Sequence, residues 1–198
     1  MTISTFNKLE NTTSDFELLK RESEKKWKNL NLYTKVYGYQ IQENSKWNKG
    51  LNEKELFDFQ SELGFEFPEC LKDFYRTMNG LNKQGINFRG GENIEPNFGS
   101  TFYSYPKDIA KIKEQIDWVR KDNKINQEQK APNIFPFLGH RFLIIDNYEQ
   151  VLSMVGRDII CWSEKLIKGI ALDIFEFDHS KLPEKKYETD GFWNEKIL

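Results

Sequence analysis

The segment from Trp47 to Gly80, WNKGLNEKELFDFQSELGFEFPECLKDFYRTMNG, constrains this chain more than any other, because it encodes two short helices, their stops and the turn between them. Asn52 stands where a helix over Glu53 to Leu63 needs its N-cap, and Glu55 is placed to reach back to that cap in a capping box. Leu51 and Leu56 hold the two staple positions, and Leu56, Phe59 and Leu63 recur at helical spacing. Gly64 supplies the left-handed residue that ends the helix. Phe65 and Phe67 bridge to a second helix, for which Pro68 suits the first turn because its missing N–H would have no partner there. Leu71, Phe74, Tyr75 and Met78 form one apolar stripe, and Asn79-Gly80 marks the stop.

The remaining chain reads as follows. Residues 1 to 13 are polar and unpatterned, which suggests a loose arm. Ser14 with Glu17 has capping-box spacing, and Phe16, Leu19, Trp27 and Leu30 fall near one face of a helix ending about Leu30. Leu32 to Ile41, LYTKVYGYQI, is β-branched and aromatic and suggests a strand or extended crossing segment. Between Leu81 and Tyr105 the glycines and Pro96 among apolar residues predict short strands and tight loops. Pro106 can start a helix carrying Ile109, Ile112, Ile116 and Val119, ended by the polar run Lys121 to Lys130, while Pro132 and Pro136 delimit the approach to a sheet. Arg141–Ile145, Gln150–Val155 and Asp158–Trp162 predict an antiparallel meander, with Gly156-Arg157 as a two-residue II′ hairpin. A last helix runs over about Glu164 to Phe177, and Phe192 and Trp193 are expected to dock on the domain. Helices first, strands in the middle and a late helix give an α+β fold, with helices packed on one face of a mostly antiparallel sheet.

At 198 residues the chain can fill one well-formed core, and 16 Phe with 5 Trp make it a core of large rings. Residues 1–45 read as a helical extension and 46–198 as the domain. The net charge of −2 spreads over both signs, so no nucleic-acid footprint is indicated. Tyr33, Tyr37 and Tyr39 with Lys35 mimic the aromatic and basic interleaving of single-strand binders. Without an excess of Lys and Arg around them they read as core or sheet packing. Cys70 and Cys161 are too far apart in sequence to form a metal knuckle or a disulfide framework, and they read as reduced thiols. No segment reaches membrane-spanning length and no signal peptide is visible, so cytoplasmic residence is expected.

A search for chemistry finds no catalytic constellation. His140 and His179 lack partners at metal-ligand spacing, and His140 reads as a hydrogen-bonded side chain at the start of a strand. Glu69 beside Cys70 opposes a thiolate. Asp58 and Glu62, one helical turn apart, could share a proton only if buried, and read as solvated surface that might alternatively face a basic partner. Gly90-Gly91 lacks the Gly-Lys-Ser/Thr of a phosphate loop. No cofactor or metal is expected. Candidate partner contacts, from loop placement and polarity, are Arg89, Glu92, Asn93, Asp146, Tyr148 and Glu149.

A helix opened by Trp-x-x-Gly-Leu and ended by Leu-Gly, then Phe-Pro and a second helix closed by Asn-Gly, resembles the start of a SUKH domain. The resemblance continues through NIFPFLGHRFLIID (Asn133 to Asp146), QVLSMVGRDIICW (Gln150 to Trp162), a helix, and the terminal GFWNEKIL. It covers about three quarters of the chain. It implies a non-enzymatic, protein-binding domain. One branch of that superfamily consists of bacterial immunity proteins that bind and neutralise a cognate toxin, nucleases among the expected targets, and acidic groups would then match a basic surface. The alternative is a regulatory interaction module, like the yeast cell-wall-assembly regulator.

Overall fold

In the computed structural model the capping box forms as the sequence predicts. The Asn52 side chain accepts from the Glu55 amide at 3.0 Å while the Glu55 carboxylate accepts from the Asn52 amide at 2.8 Å. The helix it opens, α3, runs Glu53–Leu63 and ends on Gly64 at φ 78. The structure describes residues 1–30, 33, 35–125, 130–175, 177, 182 and 191–197. His179 lies outside them.

Pro68 is the N-cap of α4 (Glu69–Thr77), which passes straight into strand β3 (Met78–Leu81), so Asn79-Gly80 lies in a strand rather than in a stop. The strand is completed by β2 (Trp47–Lys49), paired antiparallel to it. Asn79 ties this unit to the next, since its side chain donates to the Tyr105 carbonyl and accepts from the Tyr105 amide.

The amino-terminal residues are ordered into the core rather than loose. Helix α1 (Ile3–Asn7) is capped by Thr2 and buries Phe6, and Leu9 follows it into the interior. Helix α2 (Thr13–Trp27) takes its cap from Thr12, not Ser14, and buries Phe16, Leu19 and Trp27. Trp47 joins α2 to the rest of the molecule. Its indole N–H donates to Ser23 Oγ at 2.8 Å, and its ring lies against Trp27, Phe74 and Phe102.

The main sheet has four antiparallel strands in sequence order: β6 (Asn133–Leu138), β7 (Arg141–Ile145), β8 (Val151–Val155) and β9 (Asp158–Ser163). Pro136 sits inside β6 instead of delimiting the sheet. Beyond β6 lies only an isolated bridge, Phe102 to Leu138, and such an edge tolerates a residue without an N–H. Gly156 turns the β8–β9 hairpin at φ 61. The period-two alternation sorts the sheet into two cores. Phe135, Phe137, Leu143 and Val151 face the large cluster that includes α2, α3, α4 and helix α6 (Leu166–Ile174). Ile134, Phe142, Ile144, Leu152, Met154 and Ile159 face a second cluster with Val119 of helix α5 (Ile109–Asp122) and Trp193 of α7 (Gly191–Asn194). The α+β fold is as expected, and its second sheet face carries helices as well. Pro106 follows a cis peptide bond and precedes α5 by a turn.

Among the described residues of the tract from Leu32 to Ile41, the strand is the two-residue β1 (Gly38–Tyr39), which joins β4 (Ile86–Asn87) and β5 (Phe98–Gly99) in a small sheet ordered β1-β4-β5.

Candidate partner-binding surface

The small sheet carries the most concentrated apolar exposure among the described residues. Tyr33, Val36, Tyr37, Tyr39, Phe88 and Ile94 are all exposed, Tyr37 at 71%. Tyr33 and Tyr37 therefore do not pack in the core or against a sheet, contrary to the sequence reading, whereas the hydroxyl end of Tyr39 is buried beside Asp173 and Arg141, and that burial raises its pKa. The register explains their side-by-side display. Tyr39 pairs with Ile86 and Ile86 with Gly99, and the next positions along the same pairing are Tyr37 and Phe88. Gly99 has no side chain to obstruct its neighbour: a Cβ there would lie 2.4 Å from the Phe88 ring, so the ring lies across the glycine.

Arg89, Glu92 and Asn93 border this face on the loop from Phe88 to Asn97, and all three are exposed. Glu92 pairs with Lys35 at 3.1 Å, and Asn93 holds φ 62. The other three candidates lie elsewhere. The loop 88–97 follows β4, and Ile86 of β4 approaches the Gly139 turn where β7 begins, whereas Asp146, Tyr148 and Glu149 follow the end of β7. The six candidates thus form two groups at opposite ends of that strand. Within the second group Asp146 accepts from the amides of Tyr148 and Glu149 at 2.9 and 3.0 Å, which shapes the turn, and Tyr148 is exposed.

Chemistry elsewhere is taken up by structure. The Cys70 thiol is pushed up by burial, and by the Glu149 carboxylate that faces it, so it is not a thiolate at neutral pH. The opposing acid is Glu149 and not its sequence neighbour Glu69. Asp58 is bonded to Lys54 at 2.5 Å and Glu62 accepts from the Tyr105 hydroxyl at 2.8 Å, so these carboxylates have separate partners. Arg76 gathers Glu53, Glu69 and Asp73, and its single positive charge is shared among these three carboxylates. A cleft of about 520 Å³ between α2 and the start of α3 is lined by groups with such internal roles, including Lys20, Asn52, Arg76 and Asn79.

Arg141 is the most engaged of the buried charged groups. Its guanidinium bonds Asp173 through Nε and Nη2, donates to Ser153 Oγ at 2.6 Å, and stacks on Trp162 with 3.5 Å to the ring centroid. Burial raises the Asp173 carboxyl from its usual range, opposed by Arg141. His140 Nε2 lies 2.7 Å from Arg141 Nη1, so the ring accepts from the guanidinium and is neutral, and burial beside that cation lowers its pKa. No group of His, Cys, Asp and Glu among the described residues is arranged to hold a metal ion.

What the fold defines is an α+β domain with exposed aromatic side chains beside its small sheet. The sequence profile of the SMI1 / KNR4 family (SUKH-1) matches residues 50–179, and the chain belongs to that family, whose members are protein-interaction domains. Neither the curated proteins nor the solved structures gave a match. Residues before the matched region, from Phe6 to Trp47, nonetheless share its core. Among the described residues no helix is long and apolar enough to cross a membrane.

The six exposed apolar residues escaped the sequence reading because their pattern is that of a packed strand. One signal was available: a tract of aromatics in which Gly38 sits beside residues with no apolar periodicity long enough to make a stable strand.

Proposed function

We propose that this chain is an immunity protein, which binds a cognate bacterial toxin domain through the aromatic face of the small sheet and thereby neutralises it. The observation that carries the reading is the exposure of Tyr33, Tyr37 and Phe88 on a rigid scaffold, bordered by Arg89. Tyr and Arg are the side chains that most often anchor protein interfaces, and a domain that inhibits by occlusion needs a complementary surface and no catalytic group. Family membership supports protein binding in general. The second reading, a regulatory interaction module without a toxin partner, rests on the same surface. Cytoplasmic residence belongs to both proposals.

The test is co-expression with the toxin domain encoded beside this gene. Rescue of growth and a co-purifying complex are expected, and both should be lost in a Tyr37→Ala/Phe88→Ala double variant that remains folded. No rescue and no complex with the wild-type chain would reject the immunity reading. A complex with a different endogenous protein, without rescue, would favour the regulatory one.

A further inference from the structure

We infer that Asn87 is the positioning residue that locks two segments far apart in sequence, 35–37 and 88–97, into one composite surface. The inference rests on the docking reading for its functional meaning, but the lock itself is a property of the free chain.

Asn87 has no exposed surface, although it is polar and lies in a strand of only two residues. Its amide group reaches in both directions. Nδ2 donates to the Val36 carbonyl at 2.9 Å, and Oδ1 accepts from the amides of Arg89 at 3.1 Å and Asn97 at 3.3 Å. One side chain thus closes both ends of the 88–97 loop and attaches the loop to the 35–37 segment. A buried amide whose donor and acceptor both have partners rigidifies what it joins, and losing it removes the acceptor of the Arg89 and Asn97 amides at once, while the Val36 carbonyl keeps Gln40 Nε2 at 2.7 Å.

Further contacts follow the same seam. The Gly91 amide donates to the Lys35 carbonyl at 2.8 Å, and Lys35 reaches Glu92. Gly90 packs so closely that a Cβ would lie 2.5 Å from the Tyr37 nitrogen and 3.0 Å from the Lys35 carbonyl oxygen. Tyr37 and Phe88, which supply the exposed rings, are each one residue from a residue held in this seam. Neither segment is long enough to hold its rings in place alone, since an isolated two-stranded pairing is marginal in water.

The experiment is residue-resolved hydrogen exchange on the free full-length protein. In Asn87→Ala the amides of Arg89, Gly91 and Asn97 should exchange about tenfold faster or more, as loss of bonds worth about a kcal/mol each implies, while Ile144 and Met154 in the main sheet keep their protection. Unchanged exchange in the loop, or an equal rise in loop and main sheet, would overturn the lock. If Asn87→Ala does not fold, Gly90→Ala wedges the same seam and should accelerate Gly91 alone among these sites; an unaffected Gly91 would count against the proposal. The co-expression rescue then separates the two readings. Local loosening in Asn87→Ala together with undiminished rescue would confirm the lock and reject this face as the docking site.

Discussion

Two residues show how a single atom decides stability here. Gly50, the glycine of Trp-x-x-Gly-Leu, passes so close to α4 that a Cβ would stand 1.8 Å from the Arg76 carbonyl oxygen, while the next amide, Leu51, donates to the Tyr75 carbonyl at 2.7 Å. Gly50→Ala is expected to cost at least about 2 kcal/mol, because backbone and not a flexible side chain must move, and urea unfolding measures it. His140 makes stability depend on pH. Well above the ordinary histidine value of about 6.5 the ring is neutral in both folded and unfolded chains, so it adds nothing there. As pH falls through that value the unfolded chain takes a proton that the folded ring, held beside Arg141 with a lowered pKa, resists. Stability therefore declines through this window, down to the folded ring's own lower pKa. Thermal midpoints of wild type and His140→Gln should run parallel above that window and diverge through it, with the variant the less acid-sensitive.

Elements formed where local chemistry and tertiary packing agreed. The capping box of α3 and the turn at Gly156 were legible because each is determined within a few residues. Errors fell where packing decided. The first residues looked polar, yet Phe6 and Leu9 are enough to seat α1, and the Asn11 side chain accepts from the Ile167 amide near the start of α6. Pro136 looked like a boundary until β6 proved to be an edge strand. At the other end of the chain, α7 is short and holds its place through Trp193, which is fully buried against Val119, Phe142 and Met154. Trp193→Ala should cost about 3–5 kcal/mol, measured by chemical denaturation. An outcome under about 1 kcal/mol would mean that the second core closes without α7.

For the molecule as a whole, the decisive feature is that its aromatic exposure is gathered around one small sheet. The charges beside that sheet are of both signs, with Lys35 paired to Glu92 and Arg89 exposed on the same loop, while Glu53, Glu69 and Asp73 gather around Arg76 on α3 and α4. Recognition through the small sheet is therefore expected to rest on apolar contact. Capture of the co-expressed toxin domain should persist when salt is raised to about 0.5 M, where screening shortens charge–charge interactions to a few ångströms. Loss of capture at that salt would point instead to a charged face. Because Tyr37 is largely solvated, Tyr37→Ala should change unfolding stability by no more than about 0.5 kcal/mol while abolishing capture.

By itself the sequence determined the family scaffold: the two helices after Trp47, the three antiparallel strands from Arg141 onward and the aromatic character of the core. Caps, turns and hydrophobic periods act over a few residues, and their information is local. Of the candidate surface it revealed one border, Arg89, Glu92 and Asn93, because exposed polar loops announce themselves by composition. The tertiary structure alone decided that Asp146, Tyr148 and Glu149 lie at the other end of β7, and that Tyr33, Tyr37 and Phe88 face water. An aromatic residue in a short strand has the same local preference whether a helix covers it or solvent does. Only the long-range pairing of Gly38–Tyr39 with Ile86–Asn87, and of that strand with Phe98–Gly99, determines which of these holds.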